Sequence, residues 1–240
     1  MLDLIESETA PAADLIAWAM ETYRDRFAIS TGFQKEGMAI VDMAWRVSRS
    51  VRVFTLDTGR LPGQTQRMIE IVGERYGIDV ERVRPDAEEV QRMTARHGTD
   101  LFRDSVESRQ LCCEIRKVRP LDRKLGEFDA WATGLRRDQS PERAGVPKLE
   151  RLDGRVKLNP LADWTAAQVE EYTRRHDVPM HPLYARGFAS IGCEPCTRAL
   201  LAGETGRAGR WWWEVEGRKE CGIHFAPDGA VRRAPRGEDA

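Results

Sequence analysis

The sequence predicts an α/β fold: a mostly parallel sheet with flanking helices, followed by a loop-rich C-terminal segment. Short apolar runs rich in β-branched and aromatic residues alternate with segments of helical period between residues 27 and 175, and proline and glycine accumulate after residue 177. The chain has 240 residues and is 41% hydrophobic, which is enough for one substantial core. We therefore expect an N-terminal helical segment over residues 1–25, one α/β domain over 26–215, and a C-terminal tail over 216–240 that carries Cys221.

Each predicted strand is a short apolar run that precedes a turn and a segment of helical period. The first unit has a strand at 27–30 and a helix at 38–47, and the second has them at 51–56 and 64–76, where Gly77 ends the helix. A third strand and helix follow at 78–83 and 88–97. The Cys112-Cys113 pair then opens a basic helical stretch to about residue 125, before strands at 130–133 and 156–158. The last helix is expected at 165–175, with Asp163 or Thr165 as its N-cap.

The charge balance limits the classes of partner. The 38 Lys and Arg residues nearly cancel the 39 Asp and Glu residues, so we expect no nucleic-acid partner, and any anion site must be local. The acidic N-terminus lacks the basic and apolar regions of a secretory signal, and no run of 18 apolar residues occurs. We expect a cytoplasmic protein that does not contact a membrane.

Two turns that connect a strand to a helix are candidates for anion binding. The turn that begins at Ser30 and contains Gly32 offers backbone N–H groups at a helix N-terminus, where phosphate or sulfate is favoured. It is neither a Walker A motif nor G-x-G-x-x-G, so an ordinary connecting turn is an equal alternative. The next turn follows the second strand, where open α/β sheets bind ligands, and consists of Asp57, Thr58, Gly59 and Arg60.

Basic residues form three further groups near cysteines or strand ends. A solvated face is the alternative for any one group alone. The groups are Arg116, Lys117 and Arg119; Arg136 and Arg137; and Arg207 and Arg210, which precede Trp211-Trp212-Trp213. Because three adjacent side chains cannot face the same way, at least one of these tryptophans is expected to be partly exposed.

Four of the five cysteines form two close pairs, Cys112-Cys113 and Cys193-x-x-Cys196. In a reducing compartment such pairs bind metal or perform redox chemistry more often than they form disulfides. The C-x-x-C spacing suits zinc and iron-sulfur sites alike, whereas the adjacent pair favours a cluster, whose larger core accepts sulfurs at different angles. The fifth cysteine, Cys221, stands alone and is left free to react.

Several motifs, in this order, resemble those of the sulfonucleotide reductase family, in particular its assimilatory bacterial members that carry an iron-sulfur cluster and reduce adenylyl sulfate (APS). The resemblance extends from about residue 27 to residue 224. The motifs are Leu56-Asp-Thr-Gly-Arg60, Cys112-Cys-Glu-Ile-Arg-Lys117, Trp131-Ala-Thr-Gly-Leu-Arg-Arg-Asp-Gln-Ser140, Ile191-Gly-Cys-Glu-Pro-Cys-Thr197, Gly209-Arg-Trp-Trp-Trp213 and Glu220-Cys-Gly-Ile-His224.

The resemblance implies an adenine-nucleotide α-hydrolase-like fold, related to the PP-loop ATP pyrophosphatases. The PP-loop sequence S-G-G-x-D-S is replaced here by residues 30–36, which argues against ATP cleavage. Gln34 and Lys35 also differ from the small residues typical of this turn. The resemblance further implies a [4Fe-4S] cluster, with the ligands Cys112, Cys113, Cys193 and Cys196.

The activity that the resemblance implies is reduction of APS to sulfite and AMP through an S-sulfonate on Cys221, in sulfate assimilation and cysteine biosynthesis. Thioredoxin, or glutaredoxin, would release the sulfite. His224 either helps to keep Cys221 ionised or is a solvated histidine. The resemblance implies that the phosphosulfate is bound by Lys117, Arg207 and Arg210, which match family positions with that role. Arg136 and Arg137 lie in another matching motif and are expected to be supporting cations.

Three alternatives stay open. Reductases of the 3′-phosphorylated substrate (PAPS) belong to the same family but typically lack both cysteine pairs, so APS is preferred and dual use is not excluded. A PP-loop tRNA-thiolating protein would need the intact ATP loop and a basic RNA-binding face. A zinc-binding regulatory module would leave Cys221 without a purpose.

Overall fold

A computed structural model describes residues 4–152, 154–214, 224–225 and 231–232. The strands in these residues are β1 (Phe27–Ser30), β2 (Val53–Leu56), β3 (Glu81–Val83), β4 (Ala130–Ala132), β5 (Leu149–Leu152), β6 (Arg155–Leu158), β7 (His224–Phe225) and β8 (Val231–Arg232). Six of them form one sheet in the order β3-β2-β1-β4-β6-β5, and within it β5 alone is antiparallel to its neighbour. β7 and β8 form a separate antiparallel pair. The mostly parallel sheet confirms the predicted fold class.

Helices connect the parallel strands and cover both faces of the sheet. In the described residues they are α1 (Leu4–Thr9), α2 (Ala12–Tyr23), α3 (Lys35–Val47), α4 (Gly63–Tyr76), α5 (Ala87–His97), α6 (Val106–Cys113), α7 (Arg119–Leu125) and α8 (Ala166–Arg175). A π-helix, Glu114–Val118, joins α6 to α7, and 3₁₀ turns at Pro182–Arg186 and Glu194–Cys196 precede the C-terminal part. None of the described helices has the length and the apolar character that crossing a membrane requires.

The core includes one apolar layer on each face of the sheet and a third buried cluster around the paired cysteines. On the face covered by α2, α3 and α8, Ile29, Leu158 and Ile40 are fully buried. On the face covered by α7, Phe54 and Trp131 are fully buried. Each such side chain contributes roughly 1.5–3 kcal/mol when it leaves water, so these layers hold the helices against the sheet.

Two predicted strands begin later than their apolar runs. β2 begins at Val53 rather than at residue 51, because its pairing starts where Val53 meets Ile29 of β1. β3 begins at Glu81 rather than at residue 78, because its pairing with β2 starts at Glu81. Val51 and Ile78 are nevertheless buried. Apolar burial therefore extends beyond the hydrogen-bonded part of each strand, and composition does not mark the first paired residue.

β5 was not predicted from the sequence. Its two central residues, Glu150 and Arg151, are charged and lie between two buried leucines, so the segment has no apolar run. It is stabilised instead as an edge strand that pairs with β6.

The position of the first cysteine pair on its helix was predicted wrongly. The pair ends α6 rather than opening a helix, because the Ser105 hydroxyl accepts a hydrogen bond from Ser108 N (3.1 Å) and begins α6 earlier. For α8, the structure selects Thr165 of the two predicted N-caps, and Gln168 completes a capping box with it.

The strand order places a ligand-binding edge beside β1 and β4. β2 and β3 lie on one side of β1, whereas β4 and β6 lie on the other. In open α/β sheets the crevice outside the carboxyl ends of the strands at such a switch point is the usual ligand site. The turns after β1, β2 and β4 all lie at this edge.

Candidate functional site

A cavity of about 760 Å³ lies at the carboxyl ends of β1, β2 and β4. Its volume is within the range of small-molecule sites. Its apolar wall includes Leu56, Leu61, Leu121, Trp131 and Ile191. The predicted substrate-binding residues that line it are Ser30, Gly32, Thr58, Lys117, Arg207 and Arg210.

The turn after β1 is held by its own side chains. Thr31 Oγ1 accepts a hydrogen bond from Phe33 N (2.9 Å), and Phe33 is fully buried with a positive φ of 58°. Gln34 Oε1 accepts a hydrogen bond from Ile191 N (3.1 Å). Gly37 packs so closely on Thr31 that a side chain there would overlap its hydroxyl. Gln34 therefore joins this turn to the segment that leads to the second cysteine pair.

Some residues of the turn after β2 hold the turn itself, and others line a pocket. Asp57 does not line the cavity; its carboxylate accepts hydrogen bonds from Gly59 N (3.2 Å) and Arg84 Nε (3.1 Å). Gly59 has a φ of 72°, a conformation that glycine adopts without strain. Arg60 donates to Thr99 O (2.8 Å) and to a carboxylate and lines the cysteine pocket described next.

The four paired cysteines line one narrow pocket beside the large cavity, and all four are buried. They are Cys112, Cys113, Cys193 and Cys196. Burial raises the pKa of the Cys196 thiol to about 12 and also raises the pKa of the Cys112 thiol. In the described part of the chain, no group of three or more His, Cys, Asp or Glu residues is arranged to hold a metal ion.

The backbone around both pairs departs from regular helix. The π-helix begins directly after Cys113, and such wide turns are frequent at functional sites. The second pair lies on a 3₁₀ turn, where Cys196 N donates to Cys193 O (3.0 Å). Glu194 N donates to Arg60 O (2.8 Å), so the second pair is attached to the turn after β2.

Several polar groups surround the four thiols. Thr58 Oγ1 lies 3.3 Å from Cys193 Sγ. The indole Nε1 of Trp211 and the Nε of Arg116 are buried donors without a hydrogen-bond acceptor in the described residues, and both side chains line the thiol pocket. Trp211 is fully buried whereas Trp212 is 37% exposed, as the sequence predicted for at least one of the three tryptophans.

Lys117 and Cys193 line both the large cavity and the thiol pocket. Lys117 lies in the π-helix, four residues after Cys113. Arg210 Nε donates to Cys196 O (3.2 Å), and its guanidinium packs against Gly192, where a side chain would overlap it. The two pockets are therefore neighbours with a common wall of one cation and one thiol.

Arg136 and Arg137 do not line the cavity. Arg136 is buried, and its Nε donates to Glu36 Oε1 (2.9 Å) at the first turn of α3. Arg137 donates to Val146 O (2.8 Å) and to Glu8. These contacts hold the loop after β4 against α3 and the N-terminal segment.

The cavity also contains polar residues that were not predicted from the sequence. Lys157 of β6 is buried, and its Nζ donates to Glu150 Oε1 (2.7 Å) on β5. Burial lowers the pKa of Lys157. The signal was the lysine within the otherwise apolar second half of β6. Arg143, Gln139 and Thr65 also line the cavity.

Two predicted catalytic residues cannot be placed. Cys221 lies outside the described residues. His224 begins β7, and its side chain lies outside what the structure describes. Their roles stay predictions.

The sheet order and the cavity define an α/β protein of the adenine-nucleotide α-hydrolase-like class. FMN adenylyltransferase from Candida glabrata, solved in complex with ATP, has this fold: its TM-score is 0.52 at 16% identity, over 79% of this chain and 61% of that chain. Within this class, the chain belongs to the phosphoadenosine phosphosulfate reductase domain family, which matches residues 26–199.

Individual members of the family are similar over most of the chain. Adenosine 5′-phosphosulfate reductase from Allochromatium vinosum is 44% identical over 230 residues, which is 94% of this chain and 90% of that protein. The crystal structure of phosphoadenylyl-sulfate (PAPS) reductase from Candida auris has a TM-score of 0.65 at 27% identity, over 78% of this chain and 90% of that chain.

Proposed function

We propose that this protein reduces APS to sulfite and AMP, with thioredoxin as the electron donor, in the cytoplasm. The proposal rests first on one observation: a nucleotide-sized cavity and a pocket of four cysteines share the wall formed by Lys117 and Cys193. The relatives named adenosine 5′-phosphosulfate reductase support the choice of substrate.

The residues of the thiol pocket fit the [4Fe-4S] cluster that the family resemblance implies. All four donors are sulfur atoms, which iron-sulfur clusters prefer. Trp211 Nε1 and Arg116 Nε are buried donors that have no acceptor among the described residues, and both side chains line the same pocket, so they suit the negatively charged sulfurs of a cluster. The ligands would be Cys112, Cys113, Cys193 and Cys196. When bound, the cluster would supply a polarising charge beside the substrate.

The cations of the cavity would bind the phosphosulfate. Lys117, Arg207 and Arg210 line it close to the thiol pocket, so the anionic end of the nucleotide would lie there. Charge-assisted hydrogen bonds to the sulfonyl and phosphate oxygens would neutralise the charge that develops as AMP leaves.

In the proposed reaction the thiolate of Cys221 attacks the sulfur of APS. The S–O bond to the phosphate breaks, AMP leaves with the electron pair, and Cys221 carries an S-sulfonate. A thioredoxin thiolate then attacks the sulfur of Cys221, and sulfite leaves with the electron pair of the S–S bond. The second thioredoxin thiol resolves the mixed disulfide, so that thioredoxin is oxidised and the Cys221 thiol returns.

Reduction of PAPS is the second candidate. The likeness to the Candida auris PAPS reductase favours it, because that structure covers most of this chain at 27% identity. The two candidates differ in a 3′-phosphate, which would need additional cations at the ribose end of the cavity.

One experiment tests both candidates. The purified protein is incubated anaerobically with APS or PAPS, and the intact masses of the wild type and Cys221→Ser are measured. We expect the wild type to gain one sulfonate with APS, the mutant to gain none, and thioredoxin to release the adduct as sulfite. An adduct with PAPS alone would replace the proposed substrate, and no adduct with either nucleotide would contradict the reductase assignment.

A further inference from the structure

Thr65, in the first turn of α4, is a buried polar residue of the large cavity for which the reaction above assigns no role. It is 3% exposed and lies in the cavity wall, which also includes Leu56 at the end of β2 and Leu61 of the connection between β2 and α4. Its Oγ1 is 2.9 Å from the Nε2 of His181, which is itself 1% exposed.

The hydrogen bonds of His181 determine the direction of the bond to Thr65. Leu183 N donates to His181 Nδ1 (3.2 Å), so Nδ1 carries no proton. The proton of the neutral ring is therefore on Nε2, which donates to Thr65 Oγ1. Burial lowers the pKa of His181 to about 4, in agreement with a neutral ring.

The Thr65 hydroxyl is consequently an oriented donor. One lone pair of Oγ1 is occupied by His181, and the hydroxyl proton has no acceptor among the described residues. A buried hydroxyl that lines a cavity and lacks an acceptor suits a ligand that supplies one.

We propose that the Thr65 hydroxyl donates to a ring nitrogen of the purine of the bound nucleotide, and that His181 is the positioning residue that orients it. The inference rests on the proposed function, which supplies the nucleotide. The base is favoured over the phosphates because the cavity cations Lys117, Arg207 and Arg210 account for the anionic end. Leu56 and Leu61, which line the same cavity and precede Thr65 in the chain, offer apolar side chains that suit a flat ring. A purine has unprotonated ring nitrogens that accept hydrogen bonds.

The test measures binding of AMP and of its 1-deaza, 3-deaza and 7-deaza analogues, each of which lacks one ring acceptor. With the wild type, we expect one analogue to bind about tenfold more weakly than AMP. Thr65→Val should lower the affinity for AMP by a similar factor. It should leave the affinity for that one analogue unchanged, because the analogue cannot form the hydrogen bond with the wild type either.

The variants of His181 test its positioning role. His181→Leu should reduce the ratio between the affinities for AMP and for the sensitive analogue, whereas His181→Gln, which keeps a donor and an acceptor, should restore it. Tyr184→Phe is the matched control: Tyr184 lies in the same turn, and its hydroxyl accepts from Lys35 N (3.2 Å), but it does not line the cavity. Thermal unfolding of each variant identifies any loss of fold. Such a loss would lower the apparent affinities for AMP and for the analogue equally, so the ratio of the two within one variant is not affected by it.

The outcomes separate this inference from the proposed function. Suppose that AMP binds the wild type, and that Thr65→Val lowers the affinities for AMP and for all three analogues equally or lowers none of them. The proposed contact with the base is then wrong, while the reductase assignment stands. If the ratio is unchanged in His181→Leu, the positioning role is wrong. If AMP does not bind the wild type, both the inference and the proposed function fail.

Discussion

Arg109 on α6 and Glu214, 105 residues later, form a buried ion pair: Arg109 Nε to Glu214 Oε1 is 2.5 Å and Nη2 to Oε2 is 3.2 Å. The two side chains are 2% and 7% exposed. The guanidinium also lies 4.4 Å from the ring centroid of Trp211. This pair attaches the helix that carries the first cysteine pair to the segment that precedes residue 215.

Glu214→Ala should lower the free energy of unfolding by about 3 kcal/mol, because it removes the carboxylate that pairs with the buried guanidinium of Arg109. Urea denaturation of the wild type and the variant measures the loss. Arg174→Ala is the control, since Arg174 and Glu171 form an exposed pair, with 75% and 59% of their side chains in solvent, and should contribute less than about 1 kcal/mol. Equal losses in the two variants would contradict the importance of burial.

Replacement of any one paired cysteine by serine should remove most of the bound iron, since each thiol would ligate one iron of the proposed cluster. Iron and acid-labile sulfide are measured on anaerobically purified protein. Cys221→Ser is the control and should keep the wild-type content. A protein that contains one zinc and no sulfide would support the zinc-module alternative.

Lys117→Ala should reduce kcat/KM for APS by about 100-fold, roughly 2.7 kcal/mol, because Lys117 lies in the wall between the cavity and the thiol pocket. Steady-state kinetics with excess thioredoxin measure this change. Arg119→Ala is a matched control on the same basic stretch: Arg119 pairs with Glu89 and Glu114 and lines neither pocket, so its loss should change kcat/KM less than twofold. An effect of Arg119→Ala as large as that of Lys117→Ala would indicate a general effect of charge.

His181 should make the fold less stable at acidic pH. Burial lowers its pKa from the ordinary 6.5 to about 4, so the unfolded chain takes up a proton below pH 6.5 that the folded protein does not. Its contribution to the free energy of unfolding is therefore fully present above pH 6.5. As the pH falls below that value, the contribution decreases by about 1.4 kcal/mol per pH unit, and near pH 4 the decrease amounts to about 3 kcal/mol.

The comparison of wild type with His181→Gln isolates this contribution, because all other titrating groups are common to both proteins. Of the ionisable side chains, Tyr184 faces the imidazole, with ring centroids 6.4 Å apart, and burial raises its pKa, so it stays neutral in this range. Denaturation of both proteins between pH 7 and pH 4 should give curves that diverge as the pH falls. Parallel curves would show that folding does not lower the pKa of His181.

The elements that were predicted well are those whose own residues carry the pattern. β1 is an apolar run and α4 is a periodic segment, and both have clear ends. α8 begins at a capping box formed by Thr165 and Gln168, three residues apart. β5 could not be predicted, because its stability comes from pairing with β6 rather than from its composition. Arg136 and Arg137 show the same limit for the site: a basic motif indicates charge, but only packing decides that these two guanidinium groups contact Glu36 and Glu8.

By itself, the sequence determined the class of fold and the two cysteine pairs, and its motifs predicted the cations for a sulfonucleotide, since alternation, spacing and motif are local properties of a chain. The tertiary structure decided which of these groups meet. It brought Lys117 to the wall between two pockets, and it joined Thr65 to His181 across 116 residues. Such contacts depend on how the helices pack at the carboxyl edge of the sheet, and no pattern within either segment specifies a partner that distant.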